Sequence, residues 1–213
     1  MTRKIPLQSF GSLRVRTPHC LPGQRIGIMG GTFNPPHEGH RIAAEAAMKR
    51  LGLDQIWWLI TPGNPLKSHN GLPPLEGRMQ LVQAFARGPR MKITGFEREL
   101  GTRFTAGTLA FLKRRFPAVR FVWVMGADNL ASFDRWQHWR EIAQMMPIAV
   151  VDRPGWRHAG LASPAAQALR RYRLPEAEAA SLANKNPPAW MLLTIRLSGL
   201  SSTALRTAKP GNG

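Results

Sequence analysis

Residues 30–40 read GGTFNPPHEGH, and they hold the residue types that bind phosphate. Gly30 and Gly31 allow backbone angles that a β-carbon forbids and let a ligand approach the main chain. Pro35 and Pro36 stiffen the entry to a helix and suit its first turn, where an amide donor is not missed. The free amides of a helix N-terminus, with its dipole, favour an anion. His37 and His40 stand three positions apart, so both imidazoles fall on one face of that turn, beside the anion. A zinc site would need a third and a fourth ligand, and the single cysteine, Cys20, stands in an N-terminal arm. A dinucleotide fingerprint has a different glycine spacing and no histidine. The chemistry that these residue types predict is phosphate binding.

The elements that must position this stretch follow from pattern. The run RIGIM before it is of strand type, and residues 41–52 after it favour a helix. Residues 55–61 form a second buried strand, so the order strand-helix-strand predicts parallel pairing with a right-handed crossover. The Pro/Gly-rich loop 61–75 leaves the carboxyl end of that strand, where open α/β sheets bind ligands, and it carries Asn64 and Lys67 as candidate substrate contacts. Residues 76–86 read as a helix and 91–94 as a third strand. Thr105 precedes an apolar periodic run and is expected as a helix N-cap, an end that could receive a second anion such as a carboxylate. Strand four, 119–126, ends just before Asp128, which is placed to accept hydrogen bonds from a ribose. Residues 133–145 read as one helix with Trp136 and Trp139 on one face; Trp139 suits the core, and Trp136 a stacking platform for a flat ring. Strand five, 147–155, ends in Arg153, and the last strand, 190–195, leads to SSTALR at the start of a short helix. Residues 156–188 are rich in Ala, Arg and Pro and have no functional reading. The expected fold is α/β: a Rossmann-like, open, mainly parallel sheet flanked by helices, in a single domain over 25–207 with a short tail, 208–213.

Composition bounds the rest. A chain of 213 residues that is 43% hydrophobic can bury a real core, and its longest apolar runs are far below a membrane span. One cysteine excludes an internal disulfide and agrees with a reducing, cytoplasmic compartment. The net charge of +18 suits anionic substrates; the basic residues are dispersed and carry no RNA-binding motif, so no specific nucleic acid is expected. Residues 1–24 have no acidic residue and are expected as a basic, flexible extension or as sequence before a misplaced start codon.

The 30–40 stretch resembles the signature of nucleotidylyltransferases, GG-T-F-(D/N)-P-x-H-x-G-H, and SSTALR resembles that superfamily's second motif. Within it the chain looks most like the bacterial nicotinate-nucleotide adenylyltransferases over about 25–206, through PGNPLK, FERE and FTAGTL, MGADNL, FDRWQHW and VVDRPG in order. The resemblance implies transfer of the adenylyl group of ATP to nicotinate mononucleotide, with magnesium carried by the ATP phosphates and no metal ligand from the protein. It implies His37 and His40 as catalytic phosphate donors, and ATP contacts from Gly30, Gly31, Thr32, Phe33, Ser202, Thr203 and Arg206. It implies that Thr105 holds the nicotinate carboxylate, Asp128 the ribose and Trp136 the pyridine, with Arg153 close to the substrate. Phe104 stands where that family often has tyrosine, and the chain ends at Gly213, soon after Arg206, where many members continue into another helix. A homo-oligomer is compatible with this reading.

Overall fold

Runs such as QIWWLI are apolar at every position because both faces of the sheet they enter are covered. The computed structural model describes residues 15–63, 72–102 and 104–195. Among them, β1 (Arg25–Gly31), β2 (Gln55–Ile60), β3 (Met91–Thr94), β4 (Arg120–Gly126), β5 (Ile148–Val151) and β6 (Trp190–Leu193) form one parallel sheet in the order β3-β2-β1-β4-β5-β6. Alternate residues of β2 feed two cores. Ile56, Trp58 and Ile60 pack with Ala44, Ala47 and Met48 of helix α1 (Glu38–Arg50) and Val82 of α2 (Leu75–Gln83). Trp57 and Leu59 belong to the opposite core, with Leu109 and Leu112. The strand order reverses between β1 and β4, so the carboxyl ends of these two neighbours open the crevice where such sheets bind ligands.

Local structure departs from the sequence expectations in several places. Strand β1 runs on to Gly31, which pairs with Ile60, so both glycines are strand residues. Helix α1 begins at Glu38 with His37 as its cap; Pro35 and Pro36 therefore lie before the helix, not in its first turn. A four-residue helix, α3 (Glu97–Leu100), precedes α4 (Thr105–Arg115). Phe104 caps α4 with its backbone extended, and Thr105 is the first helical residue, not the cap. Residues 127–130 form α5 (Ala127–Leu130). The single helix expected over 133–145 is broken. A 3₁₀ turn, Phe133–Arg135, gives way to an extended Trp136, and α6 (Trp139–Met145) starts only after His138, at φ +58°. The break lets Trp136 and Trp139 both set their rings edge-on against Phe133, at 5.4 and 5.8 Å between centroids.

The Ala/Pro-rich stretch has a packing role. It forms α7 (Arg157–Ala162), α8 (Pro164–Ala168) and a 3₁₀ segment, Glu176–Asn184, which bury Ala165 and Ala166 in one core and Leu182 in the other. Within residues 15–24, Val15 is buried in the core, the Arg16 amide donates to Glu99, and the Gly23 amide to the Ala118 carbonyl. Among the described residues, no helix is long and apolar enough to cross a membrane.

Gly30 is a packing requirement. A β-carbon there would stand 2.6 Å from Cη2 of Trp123, inside the buried indole. Gly30→Ala should cost about 1–3 kcal/mol and lower the melting temperature by roughly 2–10 °C. An unchanged melting temperature would show that Trp123 leaves room for it.

Candidate active site

The turn between β1 and α1 is built around a strained aromatic residue. Phe33 sits at φ +47°, in the left-handed region that bulky side chains avoid, and its ring is buried. That ring meets His40 edge-on at 5.0 Å and lies 5.2 Å from Trp58. Beyond it, His37 and His40 close the first turn of α1 on each other. The Gly39 amide donates to Nδ1 of His37 at 3.1 Å, and the His37 amide donates to Nδ1 of His40 at 3.3 Å. This is the reciprocal geometry of a capping box, with imidazoles where serine and glutamate usually stand. The two rings lie 3.8 Å apart at 34°. The Gly39 and His40 amides are both engaged with His37, one with its ring and one with its carbonyl.

Protonation follows from those bonds. Burial, then the charge of Arg153, pushes the His37 pKa down to about 4, against an opposing pull from Asp128. Burial, then His37 and Arg153, holds His40 well below the ordinary value. Both rings are neutral at pH 7, and each Nδ1 accepts a hydrogen bond, so each Nε2 carries the proton. Nη2 of Arg153 stands 3.5 Å from Nε2 of His37. With Nε2 protonated, that approach is donor to donor, an arrangement that an anion between them would satisfy.

Behind this pair, Nη1 of Arg153 donates to Oδ2 of Asp128 at 3.0 Å. Oδ1 of Asp128 is buried and has no hydrogen-bond partner among the described residues, so an acceptor is left open beside the two donors. Gly126 makes this possible, since a β-carbon there would lie 2.3 Å from Oδ1 of Asp128 and 2.9 Å from Cδ of Arg153. Trp136 is half-buried and meets Trp123 edge-on at 6.3 Å, while Trp139 is buried in the core.

The structure thus brings together His37, His40, Asp128 and Arg153, with Gly30 and Gly31 at the end of β1 and Thr32 and Phe33 in the turn that follows. Thr105, partly exposed at the start of α4, and Trp136 share the carboxyl edge of the sheet by topology and packing. Asn64, Lys67, Ser202, Thr203 and Arg206 lie outside the described residues. Among the described residues, no group of three or more His, Cys, Asp or Glu stands together as metal ligands would.

A family model described as cytidylyltransferase-like matches residues 28–208. A Rhizobium meliloti protein named "Probable nicotinate-nucleotide adenylyltransferase" is 55% identical over 186 residues, which is 87% of this chain and 99% of that protein. One of the same name from Agrobacterium fabrum is 54% identical over 181 residues, covering 85% and 97%. The chain belongs to the nicotinate-nucleotide adenylyltransferase family. The members of this family are nucleotidyltransferases of NAD biosynthesis. Its fold is that of a Plasmodium falciparum nicotinic acid mononucleotide adenylyltransferase solved with NaAD. The TM-score is 0.65 at 18% identity, over 86% of this chain and 83% of that one.

Two residues of this family member escaped the sequence reading. Arg78 is buried in the stripe of α2 that also holds Leu75 and Val82, and a charge at an apolar-stripe position was the available signal. Glu97 is 4% exposed and accepts a hydrogen bond from Oγ1 of Thr108, 2.6 Å away, beneath the start of α4. Burial lifts its pKa from 4.5 to about 7, with the Thr108 bond opposing. Between those values the folded chain keeps a proton that the unfolded chain has lost, so stability falls as pH rises through that window. The histidines act with the opposite sign: their lowered folded pKa values remove stability as pH falls below 6.5. Glu97→Gln leaves the histidine contribution in place and removes the other. Its melting temperature should match the parent near pH 5 and exceed it at pH 8 by on the order of 5 °C. Parallel profiles for parent and variant would sink this account of Glu97.

Proposed function

We propose that this chain transfers the adenylyl group of ATP to nicotinate mononucleotide, releasing pyrophosphate and forming nicotinate adenine dinucleotide. The observation that carries the reading is the 3.5 Å approach of Arg153 Nη2 to His37 Nε2, next to the open acceptor of Asp128. One phosphate and one ribose hydroxyl would meet these groups.

The residues suit the chemistry. The nucleophile is a substrate phosphate already ionised at pH 7, so no side chain has to remove a proton. The reaction needs two anions screened from each other and the charge developing at the α-phosphate stabilised. Neutral His37 and His40 donate from Nε2 to phosphate oxygens, and because their Nδ1 atoms are held by backbone amides they need no reorganisation to do so. Gly30, Gly31, Thr32 and Phe33 bring the backbone turn against the nucleotide. Ser202, Thr203 and Arg206, by their motif, hold the leaving pyrophosphate. Magnesium carried by the nucleotide would neutralise part of the phosphate charge and would need few ligands from the protein. On the acceptor side, Asp128 takes the ribose, Arg153 the charge beside it, Trp136 the pyridine face and Thr105 the carboxylate, with Asn64 and Lys67 on the adjoining loop. A site built for a carboxylate discriminates against the amide, whose charge and donors fit it poorly. The reaction belongs in the cytoplasm, with its substrates, and calls for no nucleic acid.

Pyrophosphate release with magnesium and ATP should require nicotinate mononucleotide and be weak with its amide and absent with phosphopantetheine. Release with another acceptor would overturn the pocket assignment, and no release with any would overturn the reaction. His40→Ala should lower kcat by on the order of 10²–10³, as loss of an oxyanion donor does. A loss under tenfold in both His40→Ala and His37→Ala would remove the catalytic role from the histidines.

A further inference from the structure

Arg78 is 1% exposed and sits in the apolar stripe of α2. Its guanidinium is turned entirely to main-chain carbonyls. Nε donates to Pro73 at 3.0 Å, Nη1 to Thr32 at 2.9 Å and to Thr61 at 2.8 Å, and Nη2 approaches Pro62 at 3.4 Å. These carbonyls lie on separate stretches of chain: the turn after β1, the end of β2, and the strap before α2. A buried cation whose hydrogen bonds all go to peptide carbonyls is costly, and burial lowers its pKa against an opposing pull from the Glu76 charge. A leucine or methionine would fill the same stripe without that cost. Arginine is the side chain whose planar fork of five donors reaches several carbonyls at once.

What the fork holds connects to the phosphate site. Thr32 directly precedes Phe33, whose left-handed backbone persists only if its surroundings over-determine it. Fixing the Thr32 carbonyl fixes the peptide plane entering Phe33, and the Thr61 amide holds the adjacent Gly31 carbonyl at 2.9 Å. The Phe33 ring in turn sets the edge-on wall against His40. We infer that Arg78 is a positioning residue of this site: by tying the turn after β1 to the end of β2, it holds Phe33 in its strained conformation and so orients the two histidines. The inference rests on the phosphate-binding reading above. It assigns Arg78 no contact with substrate.

The test uses Arg78→Lys, which keeps the charge but gathers its donors on one nitrogen, and Arg78→Met, which fills the stripe without donors. Thermal melting reports folding, steady-state assays give kcat and KM, and ¹⁵N NMR of labelled histidine gives the pKa of each ring. In the parent, His37 should titrate near pH 4. In whichever variants melt cooperatively, at least one of His37 and His40 should move back to within about one unit of an ordinary histidine as water enters the loosened turn. kcat should fall on the order of 10², the usual cost of a misplacement near 1 Å, with KM for nicotinate mononucleotide changed less. Folded variants whose histidines titrate as in the parent would overturn the inference, whatever their activity. If the parent shows no adenylyl transfer, the proposed function fails while the histidine titrations still decide the role of Arg78.

Discussion

The site depends on two hydrogen bonds from backbone amides to imidazole nitrogens. Nδ1 of His37 and Nδ1 of His40 close the first turn of α1, and in doing so they determine what the rest of each ring can offer. A neutral ring that accepts at Nδ1 must donate at Nε2. The same bonds therefore cap a helix and select a tautomer. Keeping the rings neutral also spares the positive end of the helix dipole two further charges.

The sheet supplies the space for this arrangement by leaving side chains out. Gly30, next to last in β1, and Gly126, last in β4, lie at the carboxyl ends of neighbouring strands where the strand order reverses. At Gly30 the vacated volume holds the Trp123 indole, against which Trp136 leans. At Gly126 it holds Asp128 and Arg153, whose ion pair needs that approach. Donors for an anion, an open carboxylate oxygen and an aromatic surface thus converge on one edge because two positions lack a β-carbon. Arg78 meets the same turn through its hydrogen bond to the Thr32 carbonyl, next to the strained Phe33; both the buried cation and the disfavoured backbone are costs that the surrounding hydrogen bonds and packing must offset.

Much of this was legible in the sequence because it depends on short-range pattern. Continuous apolar runs bounded by turn residues mark strands buried on both faces, and all six expected strands are present, with ends shifted by a few residues. The spacing of His37 and His40 places their rings together at a helix start. Other features resisted for stated reasons. Residues 133–145 have helical spacing, yet the helix is broken where Trp136 and Trp139 set their rings edge-on against Phe133. Thr105 looks like a cap by residue type, but Thr102 takes the Phe104 amide on its own hydroxyl and shifts the helix start by one position.

By itself the sequence determined the strand-helix alternation, the residue types gathered in the turn after β1 and, through its motifs, the family. These are properties of neighbours along the chain. Only the tertiary structure decided which side chains from distant segments meet: Arg153 against His37 and Asp128, and Arg78 against three separate stretches of backbone. It also decided the protonation of the histidines and of Glu97, because a pKa depends on burial and on charges brought close by folding. Spacing along a chain carries no information about either.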